Sequence, residues 1–364
     1  MSADDTAHMA HALALGRRGL GNCWPNPAVG CVIVKDGRIV GRGWTQPGGR
    51  PHAEVVALTQ AGTTARGATA YVTLEPCAHH GKTPPCADAL VTAGVARVVA
   101  ALEDSDPRVS GQGFARLRSA GIAVTTDVLA DQALRDQEGF FRKVEQGRPM
   151  VTLKLACSFD GRIATATGES QWITGPEARR RVHAMRLSHD AVMVGAGTVR
   201  ADDPTLNVRG MGTVRQPLRV VVSRHLDLPI DSALAQTARD IPVWICHGPS
   251  ATGPRRTAWA DTGAHLIEAR VTGGQMDMGD VLRLLGTNGL TRVFCEGGGA
   301  LAASLLQAGL VDRLAVFTAG MALGAEGRPA LGALGIDTLA EAPRFALDSV
   351  EICGADVLQL WRRA

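Results

Sequence analysis

The sequence predicts an α/β fold in two consecutive domains, and three observations carry that reading. Short apolar runs alternate with segments of helical period along nearly the whole chain, the pattern of strands covered by helices. The chain has 364 residues, beyond the roughly 250–300 at which a single hydrophobic core stops growing. A polar stretch with Gly and Pro, "EQGRP" at 145–149, follows a complete αββαβαβα set and precedes a fresh strand. Domains of 1–147 and 148–364 are therefore expected.

The elements follow in order. Residues 4–18 have helical period behind an acidic start. "VGCVIVKDGRIVGRGW" is two apolar runs joined through Asp36-Gly37, the strongest short hairpin signal. "HAEVVALTQAG" (52–62) is a helix closed by Gly62, "ATAYVTL" (68–74) a strand, and "PCADALVTAG" (85–94) a helix opened by Pro and closed by Gly. "ARVVAAL" is a strand, "GFARLRSAG" a helix, "IAVTTDVL" a strand, and 131–141 a helix. In the second half, "MVTLKLACS", "DAVMVGAG", "LRVVVS", "PVWICH", "RVFCEGGG" and "RLAVFTAG" are apolar runs of the kind buried on both faces of a largely parallel sheet, and "PEARRRVHAMRLSH" is a helix. The segment 248–278 has mixed pattern with Gly, Pro and Thr and is expected to be loop-rich.

Composition excludes several classes. Hydrophobic residues make up 45% and charged residues 20%, an ordinary globular balance, and a net charge of +3 without basic blocks does not favour a nucleic-acid or membrane partner. "MSADDTAHMA" lacks the apolar core of a signal peptide, and no apolar run is long enough to span a bilayer. Eight cysteines in such a chain suit reduced thiols, so a cytoplasmic location is expected.

The chemistry concentrates first in "PHAEVV" and "TLEPCAHHGKTPPC". His52 and Glu54 open a helix, Cys77 follows a strand, and Cys86 lies in the first turn of the next helix. Strand C-termini and helix N-termini share one edge of an α/β sheet, so His52, Cys77 and Cys86 can converge there. One imidazole and two thiolates suit Zn²⁺, and three protein ligands leave a position open, as in catalytic sites. Glu54 is placed to move protons without being a ligand. Zinc deaminases of nucleobases use this logic with H-x-E and P-C-x-x-C; here eight residues separate the cysteines. A redox pair explains neither His52 nor Glu54.

"NPAVGCVIV", "HAEVVAL" and "TLEPCAHHGKTPPC" closely resemble the deaminase domain of the bifunctional riboflavin-biosynthesis deaminase/reductase family, in which the eight-residue spacing is a family mark. The resemblance implies a cytidine-deaminase-like domain, zinc on His52, Cys77 and Cys86, and a proton shuttle at Glu54. Asn26 would grip a pyrimidine, and His79, Lys82 and Thr83 would contact the rest of a ribose-phosphate substrate. A lysine and a threonine on a loop at the mouth suit a phosphate.

The second half has its own signals. In "VFCEGGGALAASLLQAG" a strand, an acid and three glycines lead into a helix, which lets backbone N–H groups approach a phosphate. "KLACSFDGRIAT", "GESQWITG", "VGAGTVRADDPTLNVR" and "CEGGG" occur in the order of the same family's reductase domain. The resemblance implies a dihydrofolate-reductase-like domain with NADPH as hydride donor. It assigns Ala156, Trp172, Thr198, Asp202 and Gly297, Gly298 and Gly299 to the cofactor, and Ser170, Arg186, Leu206, Arg209 and Glu296 to the substrate. Lys154 faces the same cleft and would polarise or protonate the ribose oxygen, with Glu296 beside it as a catalytic group. Ser223 and Arg224, ending "LRVVVS", are placed at the cofactor's 2′-phosphate. Adjacent Asp202 and Asp203 point apart in a strand or turn and are not expected to hold a metal. Small nucleotide-like substrates and a homo-oligomer are expected. The competing class is a zinc deaminase acting on nucleic acid with a C-terminal accessory domain; balanced charge and the lack of aromatic clusters weigh against it.

Overall fold

The computed structural model describes residues 3–79, 84–107 and 109–364. The chain folds as two compact units, Met1–Gly147 and Arg148–Ala364.

The first unit runs α1 (Ala3–Gly16), β1 (Gly30–Lys35), β2 (Arg38–Trp44), α2 (Ala53–Ala61), β3 (Thr69–Val72), α3 (Cys86–Ala93), β4 (Arg97–Ala100), α4 (Gln112–Ser119), β5 (Ala123–Thr125) and α5 (Ala130–Gln146). The sheet order is β2-β1-β3-β4-β5. β1 pairs antiparallel with β2 and β3, whereas β3, β4 and β5 are parallel. The sheet is thus mixed, because the Asp36-Gly37 turn, with φ of 48° and 74°, folds β2 straight back on β1. β1 is buried on both faces. Cys31 and Ile33 face the cluster built by α2, α3 and α4, and Val32 and Val34 face the one built by α1 and α5. α2 lies directly on the backbone of β2: a Cβ at Gly43 would sit 2.2 Å from the Ala53 carbonyl oxygen. α5 continues to Gln146 and ends at Gly147 in the left-handed conformation, so "EQ" of the expected boundary is helical.

The second unit runs β6 (Met150–Ser158), β7 (Arg162–Ala164), α6 (Pro176–Leu187), β8 (Ala191–Gly195), α7 (Ala196–Asp202), β9 (Leu218–Val222), α8 (Ala233–Gln236), β10 (Val243–His247), α9 (Gly253–Asp261), β11 (His265–Glu268), β12 (Val271–Thr272), β13 (Gln275–Met276), α10 (Met278–Thr287), β14 (Arg292–Cys295), α11 (Gly299–Gln307), β15 (Arg313–Ala319), β16 (Arg328–Pro329), β17 (Phe345–Cys353) and β18 (Asp356–Arg363). Nine strands form one sheet, β11-β10-β9-β8-β14-β6-β15-β18-β17. It is parallel from β11 to β15 and antiparallel through β18 and β17.

Two expectations are corrected here, and one hairpin was not foreseen. Residues 248–278 are not loop-rich: they form α9, β11 and the β12–β13 hairpin, with Trp259 buried as the anchor of α9. Asp202 and Asp203 lie at a helix end, Asp202 closing α7 and Asp203 following in the left-handed conformation. The β17–β18 hairpin carries no early signal because β17 is exposed on both faces, with Leu347, Val350 and Ile352 all open to solvent.

Two buried polar clusters hold this unit. Arg148 Nη1 and Nη2 meet the Asp312 carboxylate at 2.7 and 2.8 Å, and Val151 N donates to the same carboxylate at 2.8 Å. His189, fully desolvated between α6 and β8, faces Met185 O through Nδ1 and Thr152 Oγ1 through Nε2. No described helix is long and apolar enough to cross a membrane.

Candidate active sites

In the first unit the nitrogen and sulfur ligand atoms of His52, Cys77 and Cys86 all lie within 4.8 Å of one another. His52 is the N-cap of α2, in extended backbone conformation and with no side-chain cap bond, so its ring is free of the helix. Cys86 is the first residue of α3, and its backbone N–H donates to Cys77 Sγ at 3.3 Å. His52 Nδ1 is 3.2 Å from Cys86 Sγ and 3.7 Å from Cys77 Sγ. The hydrogen bond from Cys86 chiefly, with burial opposing it, draws the Cys77 thiol down to about 4; the same bond and burial push Cys86 up. A convergent set of one imidazole nitrogen and two sulfurs fits Zn²⁺.

Glu54, in the first turn of α2, is buried, and burial raises its carboxyl to about 7 against the pull of His52. It lines a cleft of about 710 Å³ together with Asn26, His52, Cys77 and His79. Asn26 Nδ2 lies 3.0 Å from Gly49 O and 3.2 Å from His52 Nε2, so this side chain braces the ring of His52. Lys82 and Thr83 fall outside the described residues.

In the second unit two lobes of about 730 and 510 Å³ share Lys154, Ala156, Ser170, Thr198, Asp202 and Glu296. The first lobe adds Ser223, Arg224 and the Gly297–Gly299 loop. The N-termini of α7 and α11, capped by Gly195 and Gly298 without side-chain bonds, open on it. A Cβ at Gly297 would meet the Leu301 side chain at 2.6 Å, so glycine there lets the loop pack closely on α11. Two helix N-termini that lack side-chain caps, beside glycines, suit a diphosphate. The second lobe adds Trp172, Arg186, Leu206 and Arg209. Trp172 is exposed there, under the Arg179 guanidinium at 4.5 Å, and does not line the glycine lobe. Leu206 is buried at a φ of 53°.

Where the lobes meet, Arg186 grips Glu296 with Nε and Nη2 at 2.5 and 3.1 Å and donates to Asn207 O. Lys154 Nζ is 3.9 Å from Glu296. Burial pushes Glu296 up, but Arg186 and Lys154 outweigh it and hold the carboxyl below its ordinary value. Burial lowers Lys154, against the pull of Glu296. A lysine that gives up its proton more readily than usual, beside a fixed carboxylate, is equipped for proton transfer in the cleft.

Residues 2–102 match the family described as the cytidine and deoxycytidylate deaminase zinc-binding region, and residues 149–359 match the RibD C-terminal domain. The Escherichia coli riboflavin biosynthesis protein RibD is 44% identical over 97% of this chain and 98% of its own length. The chain belongs to the RibD family. The RibD of Aquifex aeolicus is 38% identical over 99% of this chain and 98% of its own. Among solved structures, Acinetobacter baumannii RibD superposes with a TM-score of 0.89 at 39% identity, covering 99% of each chain. A Thermotoga maritima diaminohydroxyphosphoribosylaminopyrimidine deaminase/5-amino-6-(5-phosphoribosylamino)uracil reductase does so with 0.86 at 33%, also over 99% of each. The zinc-binding match contains His52, Glu54, Cys77 and Cys86, and the RibD C-terminal match contains every second-site residue named above.

Sequence reasoning missed several groups that this geometry brings in. Glu75, buried beside Cys77, accepts the amides of Asp104, Gly111, Gly113 and Phe114 at 2.8–3.2 Å and so fixes the wall from which Asp104 and Asp106 line the first cleft. Its four partners are backbone groups, which leave no trace in residue identity. His183, whose Nδ1 accepts from Arg209 N at 3.3 Å, lines the second lobe. It lies three residues before Arg186, one helical turn away, and that spacing was a readable signal.

Proposed function

We propose that the site residues divide two consecutive steps of riboflavin biosynthesis between them. The chain is a bifunctional deaminase and reductase of that pathway, as its family membership establishes. The first unit removes ammonia hydrolytically from 2,5-diamino-6-ribosylamino-4(3H)-pyrimidinone 5′-phosphate. The second uses NADPH to reduce the ribosyl chain, giving 5-amino-6-ribitylaminouracil 5′-phosphate. The observation that carries the assignment is the convergence of His52, Cys77 and Cys86 beside a buried carboxyl, Glu54, that lines the same cleft.

His52, Cys77 and Cys86 would hold zinc, which would supply Lewis acidity and bring the pKa of a water toward roughly 7–9. Glu54, buried at the edge of the cleft, takes the proton of the attacking water and returns it to the leaving amine. Asn26 holds the His52 ring and, with His79, Lys82 and Thr83, receives the pyrimidine and its phosphate. In the second unit NADPH supplies the hydride. Gly297–Gly299 and the α7 and α11 termini hold its phosphates, with Ala156, Thr198, Asp202 and Trp172 around the nicotinamide end. Lys154 would deliver a proton to the ribose ring oxygen as its bond to the anomeric carbon opens. Glu296, gripped by Arg186, keeps Lys154 in place, and Ser170, Leu206 and Arg209 complete the substrate lobe. Domain functions divide at residues 147 and 148.

Glu54→Gln tests the first site: deamination falls by at least the roughly 100-fold expected of a lost proton shuttle, with zinc content unchanged. Wild-type deamination by that variant refutes the mechanism. NADPH oxidation follows deamination; equal oxidation with the undeaminated substrate refutes the order. The enzyme works as a cytoplasmic homo-oligomer on free nucleotides, not on nucleic acid. The exposed apolar strand β17 supports self-association, which light scattering measures.

A further inference from the structure

Ser223 and Arg224, expected at the 2′-phosphate of the cofactor, line the glycine lobe. The structure surrounds both with partners that bear on which nucleotide they accept. Ser223 Oγ donates to Asp227 Oδ1 at 3.2 Å. Arg200 Nη1 donates to Asp227 Oδ2 at 2.8 Å and to the Asp227 carbonyl oxygen at 3.1 Å. Arg200, Ser223, Arg224 and Asp227 all line the glycine lobe. Arg224 Nε donates to His225 Nε2 at 2.7 Å, so that nitrogen carries the lone pair and Nδ1, 3.1 Å from Ser250 Oγ, carries the proton. His225 thus steers Arg224.

A hydroxyl has one proton. While Ser223 gives it to Asp227, it offers the lobe lone pairs only. Lone pairs suit the 2′-hydroxyl of an unphosphorylated ribose, which can donate. They oppose the oxygens of a 2′-phosphate, which cannot. Asp227 also turns the Arg200 guanidinium toward itself and adds a negative charge where a phosphate would arrive. Both side chains of the pair are about half exposed, so the pair is loose enough to open.

We propose that Asp227 sets the nicotinamide-nucleotide preference of the reductase unit, holding down its selectivity for NADPH over NADH. This rests on the reading of the glycine lobe as the cofactor site. Asp227 is a positioning residue that acts through Ser223 and Arg200. NADPH requires the Ser223 hydroxyl to turn and Arg200 to leave Asp227; NADH requires neither.

Isothermal titration of the full chain with NADP⁺ and with NAD⁺ reads binding apart from turnover. In Asp227→Ala, NADP⁺ binds on the order of five-fold tighter, the size of removing one screened unit charge near the surface, while NAD⁺ binding does not improve. Asp227→Glu, which keeps the charge and the acceptor, retains the wild-type ratio of the two affinities. If Asp227→Ala alters both affinities by the same factor, or neither, the proposal is overturned and the cofactor reading stands. If the wild-type chain binds neither nucleotide, the cofactor reading fails and the proposal with it.

Discussion

Replacing Gly43 by alanine is expected to silence the deaminase through the backbone that carries its catalytic groups. The added Cβ would stand 2.2 Å from the Ala53 carbonyl oxygen, 2.7 Å from Ala57 N and 2.8 Å from Val56 Cβ. Two of these are helix backbone and cannot swing aside, so α2 must lift from β2 by about 1 Å to regain van der Waals distance. Overpacking of this kind costs about 1–3 kcal/mol of stability. Ala53 lies between His52 and Glu54, so the same lift carries the imidazole away from Cys77 and Cys86 and the carboxyl away from the cleft. A displacement of about 1 Å at reacting groups costs on the order of 100-fold in rate. The assay measures ammonia release from the diaminopyrimidine substrate, zinc per chain, and NADPH oxidation with deaminated substrate supplied directly. Deamination should fall by about that factor with weakened zinc retention, while NADPH oxidation stays at its wild-type rate. A Gly43→Ala chain with undiminished deamination and an unchanged melting temperature would show that α2 does not depend on this contact.

Three further outcomes follow from the buried polar groups. Arg148→Ala leaves the Asp312 carboxylate buried without its bidentate partner and should lower unfolding stability of the second unit by about 3–5 kcal/mol, read from denaturant midpoints. His189 is depressed by burial from 6.5 to about 3, so unfolding releases a histidine that binds protons more readily. Its contribution is complete above pH 6.5 and is lost as pH falls toward 3, about 1.4 kcal/mol of it by pH 5.5; His189→Gln should flatten the urea stability difference between pH 8 and 5.5 by that amount. Glu75→Gln turns an amide N–H₂ toward two of four backbone donors, which should cost about 2–4 kcal/mol and speed hydrogen exchange at Asp104, Gly111, Gly113 and Phe114, with deamination reduced and NADPH oxidation intact.

The first site was legible because its residues sit at element ends that the sequence punctuates. His52 precedes a helix closed by Gly62, and Cys86 opens one closed by Gly94, so both ends could be placed before any coordinate. The Asp36-Gly37 turn was legible for the same reason, but its consequence, an antiparallel edge on the parallel strands, was not drawn. What stayed hidden depends on distant partners. α9 is held by a single large apolar residue, Trp259, which gives no periodicity to read. Among the described residues β17 pairs only with β18 and buries almost nothing, so its residues look like loop. The roles of Glu75 and Asp227 come from what each carboxylate accepts, and an acid in a sequence does not say whether its partners are amides, a hydroxyl or water.

The clasp of Arg148 on Asp312 bears on how the gene can be cut. Anyone isolating the reductase would be tempted to start the fragment at Met150, where the first strand begins. That choice discards a guanidinium that grips a carboxylate pinned beneath the Val151 amide, and Asp312 is almost completely closed to water. A clone opening two codons earlier keeps the cation and should yield soluble protein where the shorter one yields inclusion bodies. The working end of the second enzyme therefore begins inside what reads as linker.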